Sequence, residues 1–506
     1  MGSTDLGWLL ALPFLIPIVA GLLALMVRNK VWLARTIGLF GCVALLLVTA
    51  GIFILVIRHG PLAAQMGNWP APFGITLVAD RLSAIMLLVA GLVGVSVAVF
   101  GLADIDRRRE RLGYQGFFQL LLAGVCGSFV TGDLFNLYVW FEVMLIASFA
   151  LLVLGGDRLQ LDGGIKYVAL NLVSTLLMLI AIGLIYGLTG TLNMAALHLA
   201  MAEVQQPAAI NTLAVLFIGA FGIKAALFPL FFWLPASYHV PPVAVTAVFA
   251  GLLTKVGVYA LIRTFTLIFP ADLALAHELL LAMALLTMVT GVLGAAAQYE
   301  FRRILAFHII SQIGFLVLGL ALFSPLALAG SIFYMVHNIV AKTNLLLISG
   351  TARRMVGSFE LAKIGGLYRA SPLLAALFFI AAFSLAGFPP LSGFWAKLLL
   401  VMASLEQAAY WVVAVVLLTG ALTLYSMSKI WAGAFWEPHP HNGPKPLRMF
   451  DPSERLQRLA PSVVLVIVTL GLGLFPEPMI AFSKAVAEEL LNPTGYIDVV
   501  LNGRGN

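Results

Sequence analysis

The stretch GIKAALFPLFFWLPASYHVPP, residues 222–242, combines Lys224 with four prolines in an otherwise apolar segment. A second stretch of this kind, SLAGFPPLSGFWAKLLL at residues 384–400, places two adjacent prolines seven residues before Lys397. Proline removes a backbone donor and clashes with the preceding helical turn, so both stretches predict interrupted helices. In lipid, the carbonyls freed by such a break must face protein or water. Paired breaks in two halves of a chain therefore point to a transport pathway, although each break alone could be a packing kink.

The composition places these breaks in a membrane. Of the 506 residues, 62% are hydrophobic and 10% are charged, whereas soluble domains carry about 25% charged residues. With a mean hydropathy of +1.04, the chain is excluded from the soluble, disordered and disulfide-scaffold classes. Neither of the two cysteines, Cys42 and Cys126, has a CxxC neighbour, so no metal or redox motif is predicted. The basic residues lie in short loops, which indicates membrane topology rather than a nucleic-acid surface.

The chain contains enough long apolar runs for a polytopic membrane protein. A membrane-spanning helix needs about 20 mostly apolar residues. Because strand-like alternation is absent and only helices and closed barrels satisfy the backbone in lipid, we predict an all-α polytopic fold of about 14 transmembrane helices. The predicted spans are 7–27, 32–57, 80–103, 116–131, 133–154, 166–188, 210–230, 242–267, 275–297, 303–323, 328–349, 372–405 (interrupted), 409–435 and 460–481.

The loop charges predict the orientation of these spans. If the N-terminus is outside and the spans alternate, nineteen basic residues fall inside and five outside, which is the positive-inside pattern. We therefore expect both termini on the outer side of the cell membrane. The inside set is Arg28, Lys30, Arg35, Arg107, Arg108, Arg109, Arg111, Arg158, Lys166, Arg302, Arg303, Arg353, Arg354, Lys363, Arg369, Lys445, Arg448, Arg455 and Arg458. The outside set is Arg58, Arg81, Arg263, Lys484 and Arg504.

The five remaining basic residues all lie within predicted spans, and all five are lysines. Lysine loses its proton when it is desolvated, whereas arginine effectively does not. Lys429 lies near a span end, where its side chain can reach the interface, so we interpret it as structural. The other four lie deeper and are candidate proton carriers. The complete set is Lys224, Lys255, Lys342, Lys397 and Lys429.

One carboxylate accompanies these lysines at mid-membrane depth. Glu142 lies nine residues after Asp133, about 13 Å into its span. A buried glutamate and a buried lysine are each costly alone, so we expect Glu142 to pair with a lysine and favour Lys224. The alternative is a static ion pair that locks two helices. Four deep lysines cannot all be neutralised by one glutamate, which favours a proton relay.

Two histidines extend this polar row. His308 lies in AFHIISQIG at 306–314, and His337 lies in YMVHNIVAKTN at 334–344. Histidine titrates near neutral pH and is a natural proton carrier, although a membrane histidine is as often a satisfied helix contact. His239 in the loop WLPASYHVPP is predicted to be a solvated loop residue rather than a gate. No spacing resembles a zinc or haem site, so no cofactor is predicted.

These segments resemble a known family, the antiporter-like subunits shared by respiratory complex I, membrane-bound hydrogenases and Mrp-type cation/proton antiporters. The resemblance runs from about residue 75 to 435, and it implies fourteen helices with two inverted five-helix repeats. The domains it implies are an N-terminal three-helix segment at 1–103, a first repeat at 104–267, a second repeat at 268–435 and a C-terminal part at 436–506. The segments that carry it are NLYVWFEVMLIASFALL (136–152), GIKAALFPLFFWLPASYHVPP (222–242), LLTKVGVYALIR (252–263) and AGFPPLSGFWAK (386–397).

The resemblance also implies roles for the polar row. By position, Glu142 and Lys224 match the charge pair of the family, and Lys255 matches its connecting lysine. Lys397 matches the distal lysine of the second broken helix. His337 and Lys342 fall in the helix that usually supplies further relay groups.

The sequence RRILAFHIISQIGFL at residues 302–316 resembles that of the D-subunit group of the Mrp-type antiporters. Complex I relatives usually have a serine-rich sequence where this chain has His308. We therefore expect a proton-translocating subunit of a multisubunit Na⁺/H⁺ antiporter, a transporter rather than an enzyme, with other Mrp subunits as partners. The alternative is a proton-pumping subunit of complex I or of a hydrogenase. A third reading, an inert membrane scaffold, is disfavoured by the deep lysines.

Overall fold

The computed structural model describes residues 3–439 and 448–502. Two members of the predicted charge sets, Lys445 and Arg504, lie outside the described residues. The helices are α1 (Leu12–Met26), α2 (Val31–His59), α3 (Arg81–Asp104), α4 (Arg107–Arg111), α5 (Tyr114–Val130), α6 (Leu134–Val153), α7 (Arg158–Thr189), α8 (Met194–Ala202), α9 (Pro207–Ala225), α10 (Trp233–Ser237), α11 (Val243–Val248), α12 (Thr254–Leu267), α13 (Ala274–Ala297), α14 (Phe301–Leu322), α15 (Pro325–Val356), α16 (Leu367–Ala370), α17 (Pro372–Ala386), α18 (Ser392–Glu406), α19 (Tyr410–Ile430), α20 (Pro452–Leu474), α21 (Glu477–Leu491) and α22 (Thr494–Leu501).

The predicted all-helical polytopic fold is confirmed. Over the two described ranges, twelve helices are long and apolar enough to cross a membrane, and α5 and α17 are shorter apolar helices. The count of fourteen spans, the two inverted repeats and the domain boundaries stay predictions. The last predicted span, 460–481, is wrong at its end, because Pro476 separates α20 from a new helix, α21.

One short sheet was not predicted. Strands β1 (Leu62–Gln65) and β2 (Thr76–Ala79) pair antiparallel, with Leu62 opposite Ala79 and Gln65 opposite Thr76. Strands of four residues carry too little alternation to be recognised in a chain this apolar. The sheet joins α2 to α3 and lies against the C-terminal helix α22.

Both predicted helix breaks are present. α9 ends at Ala225, and Ala226 has a φ of 63°, in the left-handed region. α17 ends at Ala386, followed by Gly387 with a φ of 92°, and α18 begins only at Ser392. Glycine adopts this backbone conformation without strain, which suits it to the end of a helix.

The interior is built from α14, α15 and the consecutive helices α11 and α12. These two short helices are joined by a π-helical turn, Phe249–Leu253. Every residue of the most apolar stretch of α15 is buried, whereas only 39% of that stretch of α7 is buried. The helices that carry most of the candidate residues are therefore the ones most shielded from the surroundings.

The two ends of the helical bundle differ in charge. The end that we call the basic face is held by a connected network, in which Arg458 contacts Asp104 and Glu454, and Asp104 accepts a bond from the N–H of Ala244 at the start of α11. The opposite end, which we call the Asp80 face, carries Asp80, Arg81, Arg263 and Glu489. The basic face carries Arg35, Arg108, Arg109, Arg302, Arg303, Arg353, Arg354, Arg448 and Arg458.

Candidate functional site

Glu142 and Lys224 lie close together, as their expected pairing requires, but a third side chain links them in place of a direct ion pair. Helix α7 packs against both α6 and α9, and its Thr175 hydroxyl lies between the two charges. The Thr175 hydroxyl donates to Oε1 of Glu142 at 2.6 Å, and Nζ of Lys224 lies 3.5 Å from Oγ1 of Thr175. Nζ also lies 3.5 Å from the carbonyl oxygen of Asn171. The two charges are therefore coupled through a neutral hydroxyl rather than in contact.

Helices α9 and α12 approach each other closely beside the positions of Lys224 and Lys255. A Cβ on Gly257 would lie 2.7 Å from the backbone nitrogen of Ala225 and 3.0 Å from the carbonyl carbon of Lys224. Any larger residue at position 257 would separate the helices. Lys224 thus packs at the level of the first turn of α12, where Lys255 lies.

Lys255 is fully buried and has no acidic partner in the described part of the chain. Its Nζ donates to the carbonyl oxygen of Ala250 at 2.6 Å. Ala250 belongs to the π-helical turn, whose wider winding changes the usual carbonyl partners. The backbone therefore supplies the polar contact of this lysine.

Lys342 and His308 lie on neighbouring antiparallel helices. Nζ of Lys342 is 3.4 Å from the carbonyl oxygen of Leu305, and the Tyr334 hydroxyl donates to Gln312. These two contacts fix the register of α14 against α15. They place His308 within about one turn of Lys342 along the helix axis.

Several buried polar side-chain atoms of α14 and α15 have no hydrogen-bond partner in the described part of the chain. Both ring nitrogens of His308 are among them. Buried polar groups in native proteins are nearly all satisfied by protein or by water, so these atoms are suited to bind ordered water. The other atoms of this kind are Ser311 Oγ, Gln312 Nε2, His337 Nε2, Asn338 Nδ2 and Oδ1, Thr343 Oγ1, and Asn344 Nδ2 and Oδ1.

His337 links α15 to the second helix break. Its Nδ1 lies 2.8 Å from the Ser392 hydroxyl, and that hydroxyl lies 2.9 Å from the Ser384 hydroxyl. A Cβ on Gly393 would lie 2.9 Å from Nε2 of His337. The missing side chain is therefore what lets the start of α18 approach the histidine.

Lys397 lies beside freed carbonyls, as predicted for the second break. Its Nζ donates to the carbonyl oxygens of Leu385 at 3.0 Å and Ala386 at 2.9 Å, and it lies 4.9 Å from the centre of the Phe315 ring. A cavity of about 300 Å³ borders Lys397 and Gly387. At the first break a tryptophan, not a lysine, contacts a carbonyl at the end of the helix. The indole N–H of Trp233 donates to the carbonyl oxygen of Ile223 at 3.0 Å.

Two basic side chains outside the row have structural partners. Lys429 donates to the carbonyl oxygens of Ala296 at 2.7 Å and Gln298 at 2.6 Å, so it caps the end of α13 as a structural lysine would. His239 contacts the carbonyl oxygen of Pro235 at 2.8 Å and the guanidinium of Arg303 at 3.4 Å. Burial and the charge of Arg303 lower the pKa of this loop histidine to about 4. His239 is therefore neutral at physiological pH but not simply solvated.

Sequence reasoning missed two polar features. Thr175 gives no signal, because hydroxyl residues are frequent in the predicted spans. The buried ion pair of Asp80 and Arg263, with N and O atoms 2.7 Å apart, was hidden because each residue lies at a span end. The four-residue spacing of Lys255, Tyr259 and Arg263 was the available clue.

Comparison with known proteins agrees with this fold and geometry. Residues 131–423 match the family model described as NADH:quinone oxidoreductase/Mrp antiporter, TM. The chain is 46% identical to the D subunit of the Na(+)/H(+) antiporter of Alkalihalophilus pseudofirmus, covering 97% of this chain and 99% of the relative. It is 39% identical to the D subunit of the Na(+)/H(+) antiporter of Bacillus subtilis, covering 97% and 98%.

A solved structure shows the same likeness. A chain in the Mrp complex from Dietzia sp. superposes with a TM-score of 0.90 at 34% identity, covering 97% of this chain and 99% of that one. The chain therefore belongs to the antiporter-like subunits of NADH:quinone oxidoreductases and Mrp antiporters, in their D-subunit group. Within this family the predicted resemblance to the Mrp D subunits is confirmed over the complex I alternative.

Proposed function

We propose that this chain is the proton-translocating subunit of a multisubunit Na⁺/H⁺ antiporter of the cell membrane, acting in a hetero-oligomer with other Mrp subunits. The names of its relatives support the exchange reaction and the assembly. The observation that carries the proton role is the set of deep lysines whose ammonium groups contact carbonyls or hydroxyls instead of carboxylates. If the buried charges served only to lock helices together through ion pairs, lysines without carboxylate partners would have no role.

The proton row begins at the coupled charges of Glu142 and Lys224. At about 6 Å and an effective dielectric of 20, two unit charges interact by about 3 kcal/mol. Moving Glu142 away from Thr175 removes this stabilisation and favours release of the Lys224 proton. Restoring the contact favours its recapture. The pair thus acts as a switch in this proposal.

Released protons pass along the buried row through water and side chains. We propose the order Lys224, Lys255, Lys342, His308, His337 and Lys397, in which the contact of Lys342 with α14 and the contact of His337 with α18 support the later steps. Lysine and histidine can each give up and regain a proton, which arginine cannot do. His337 contacts Ser392 at the start of α18, and this contact is where we propose that the row passes from α15 towards α18.

The orientation of the bundle is part of the proposal. Cytoplasmic loops carry an excess of Lys and Arg, so we place the basic face in the cytoplasm. The Asp80 face and both termini then lie outside. Glu142 is only half-buried within this chain, and a charge at this depth is costly in lipid. We therefore propose that a partner subunit covers the outer side of α6.

The decisive experiment replaces Lys397. If Lys397 carries protons, Lys397→Met abolishes Na⁺-induced collapse of a proton gradient in everted vesicles while the complex still assembles. Lys397→Arg keeps the charge but holds its proton, so it also fails or supports only weak exchange. The matched control is Lys429→Met, which removes a lysine that caps a helix end. Full exchange by Lys397→Met, with assembly verified by co-purification, would overturn the relay role of this residue.

A further inference from the structure

Three polar residues lie in line along one side of α12. Lys255, Tyr259 and Arg263 are spaced four residues apart, so each lies about 6 Å above the last on the same helix face. All three are buried. The line runs from Lys255, in the middle of the proton row, to the Asp80 face. The proposed function assigns no role to Tyr259 or Arg263.

The positive charge of Arg263, at the end of this line that reaches the Asp80 face, is neutralised. Nη1 and Nη2 of Arg263 each lie 2.7 Å from a carboxylate oxygen of Asp80. An unpaired arginine would repel a proton in this place, whereas the ion pair does not. Below it, the Tyr259 hydroxyl lies 3.0 Å from the Ser83 hydroxyl. Hydroxyl groups both donate and accept, so a proton can pass between these two once the Tyr259 hydroxyl turns away from the carbonyl oxygen of Phe129, to which it donates at 2.9 Å.

A small cavity of about 80 Å³ lies above the ion pair, bordered by Asp80, Arg263, Glu489 and Tyr496. This exceeds the volume that one water molecule needs, and the carboxylates, the guanidinium and the phenol that border the cavity offer it polar partners. Glu489 lies on α21, which is not one of the membrane-spanning helices of the described chain. Its Oε1 pairs with Arg81 at 3.0 Å, and its Oε2 is buried with no hydrogen-bond partner among residues 3–439 and 448–502.

The side chain of Glu489 connects the cavity to the exterior. It is 28% exposed, although its Oε2 is buried. We propose that Glu489 is the proton-binding group of the Asp80 face, exchanging protons with Lys255 through the cavity and the hydroxyls of Ser83 and Tyr259. This inference rests on the proposed function, because it supplies the outer end of the same pathway. The ligand is the proton.

The transfer needs no further reactant. The carboxylate of Glu489 takes a proton from solvent and becomes a neutral acid. The acid gives that proton to water in the cavity, and the two hydroxyls carry it towards Lys255. The reverse order releases a proton to the exterior.

The surroundings of Glu489 suit this task. Burial and the charge of Asp80 raise the pKa of Glu489 to about 7, while Arg81 and Arg263 oppose the shift. The neighbouring helix α15 brings no titratable group before Tyr334. The titratable and charged groups around Glu489 are Asp80 and Arg81 at the start of α3, Tyr259 and Arg263 on α12, Tyr496 on α22, and Lys484 and Glu488 on its own helix.

The test measures exchange against external pH. The complete complex is reconstituted in oriented proteoliposomes, with the pH at the Asp80 face varied from about 5.5 to 8.5 and the other side fixed. We expect an inflection near pH 7 in the wild-type profile that Glu489→Gln loses. The matched control Glu488→Gln, which changes the exposed neighbour, keeps the inflection. A Glu489→Gln profile that superimposes on the wild type would show that Glu489 only braces α21, and the inference would be wrong.

A second variant keeps the test decisive if Glu489→Gln does not assemble. Arg81→Gln removes the cation that favours the ionised carboxylate, so the inflection should move upward by about half a pH unit. An unmoved inflection contradicts the inference. Failure of the proposed function is distinguishable, because then Lys397→Met would exchange normally whatever the external pH.

Discussion

Removal of the Thr175 hydroxyl should uncouple Glu142 from Lys224. Thr175→Val keeps the shape of the side chain but deletes the oxygen that lies 2.6 Å from Glu142 and 3.5 Å from Lys224. Valine offers neither a donor for the carboxylate nor an acceptor for the ammonium. Thr175→Ser is the matched control, because it retains the hydroxyl and loses only a methyl group.

The size of the effect follows from the bond that is lost. A hydrogen bond to a charged group contributes about 1.5–3 kcal/mol, and about 1.4 kcal/mol corresponds to a tenfold change in rate. If the proton step depends on this contact, Thr175→Val should exchange about 10- to 100-fold more slowly than the wild type. Thr175→Ser should stay within about threefold, since the charge-assisted bond remains.

The assay is Na⁺-induced collapse of a proton gradient in everted vesicles, normalised to the amount of assembled complex. Initial rates are compared, because a final extent hides a slow step. A Thr175→Val rate within a factor of about two of the wild type would refute the coupling through this hydroxyl. Glu142 and Lys224 would then have to meet directly during the cycle.

Two further predictions concern Lys429 and the orientation. Lys429→Met should retain exchange close to the wild-type rate but lower the melting temperature of the complex by a few degrees, because two carbonyls at the end of α13 lose their donor; unchanged stability would contradict the capping role. In a background without the two native cysteines, Arg107→Cys should react with impermeant thiol reagents only from the cytoplasmic side and Glu203→Cys only from outside. Labelling of position 107 from outside would invert the proposed orientation.

Much of the fold was predictable because the length and hydropathy of membrane helices identify them in the sequence. The breaks near Lys224 and Lys397 were predictable for a similar reason, since proline excludes a regular helix. The carbonyl partners of Lys397 followed from the second break. These features depend on local sequence, and local sequence was sufficient to find them.

Features that depend on which helices meet were not predictable in the same way. Thr175 acquires its position only because α7 packs against both α6 and α9. Asp80 and Arg263 are 183 residues apart, and each alone looked like a loop residue at the edge of a span. The partners of Lys255 depended on the π-helical turn, which no motif marks.

The contrast between the enclosed helix α15 and the open helix α2 has a consequence for how this chain can diverge. All of the most apolar stretch of α15 is buried, against 33% of that of α2. A substitution on α15 meets packed neighbours at every position, so most changes there are costly. A substitution on the open side of α2 meets only lipid or another subunit. The open side of α2 can therefore change in sequence to fit different assemblies while α15 stays the same. One buried interior can in this way serve in several different complexes.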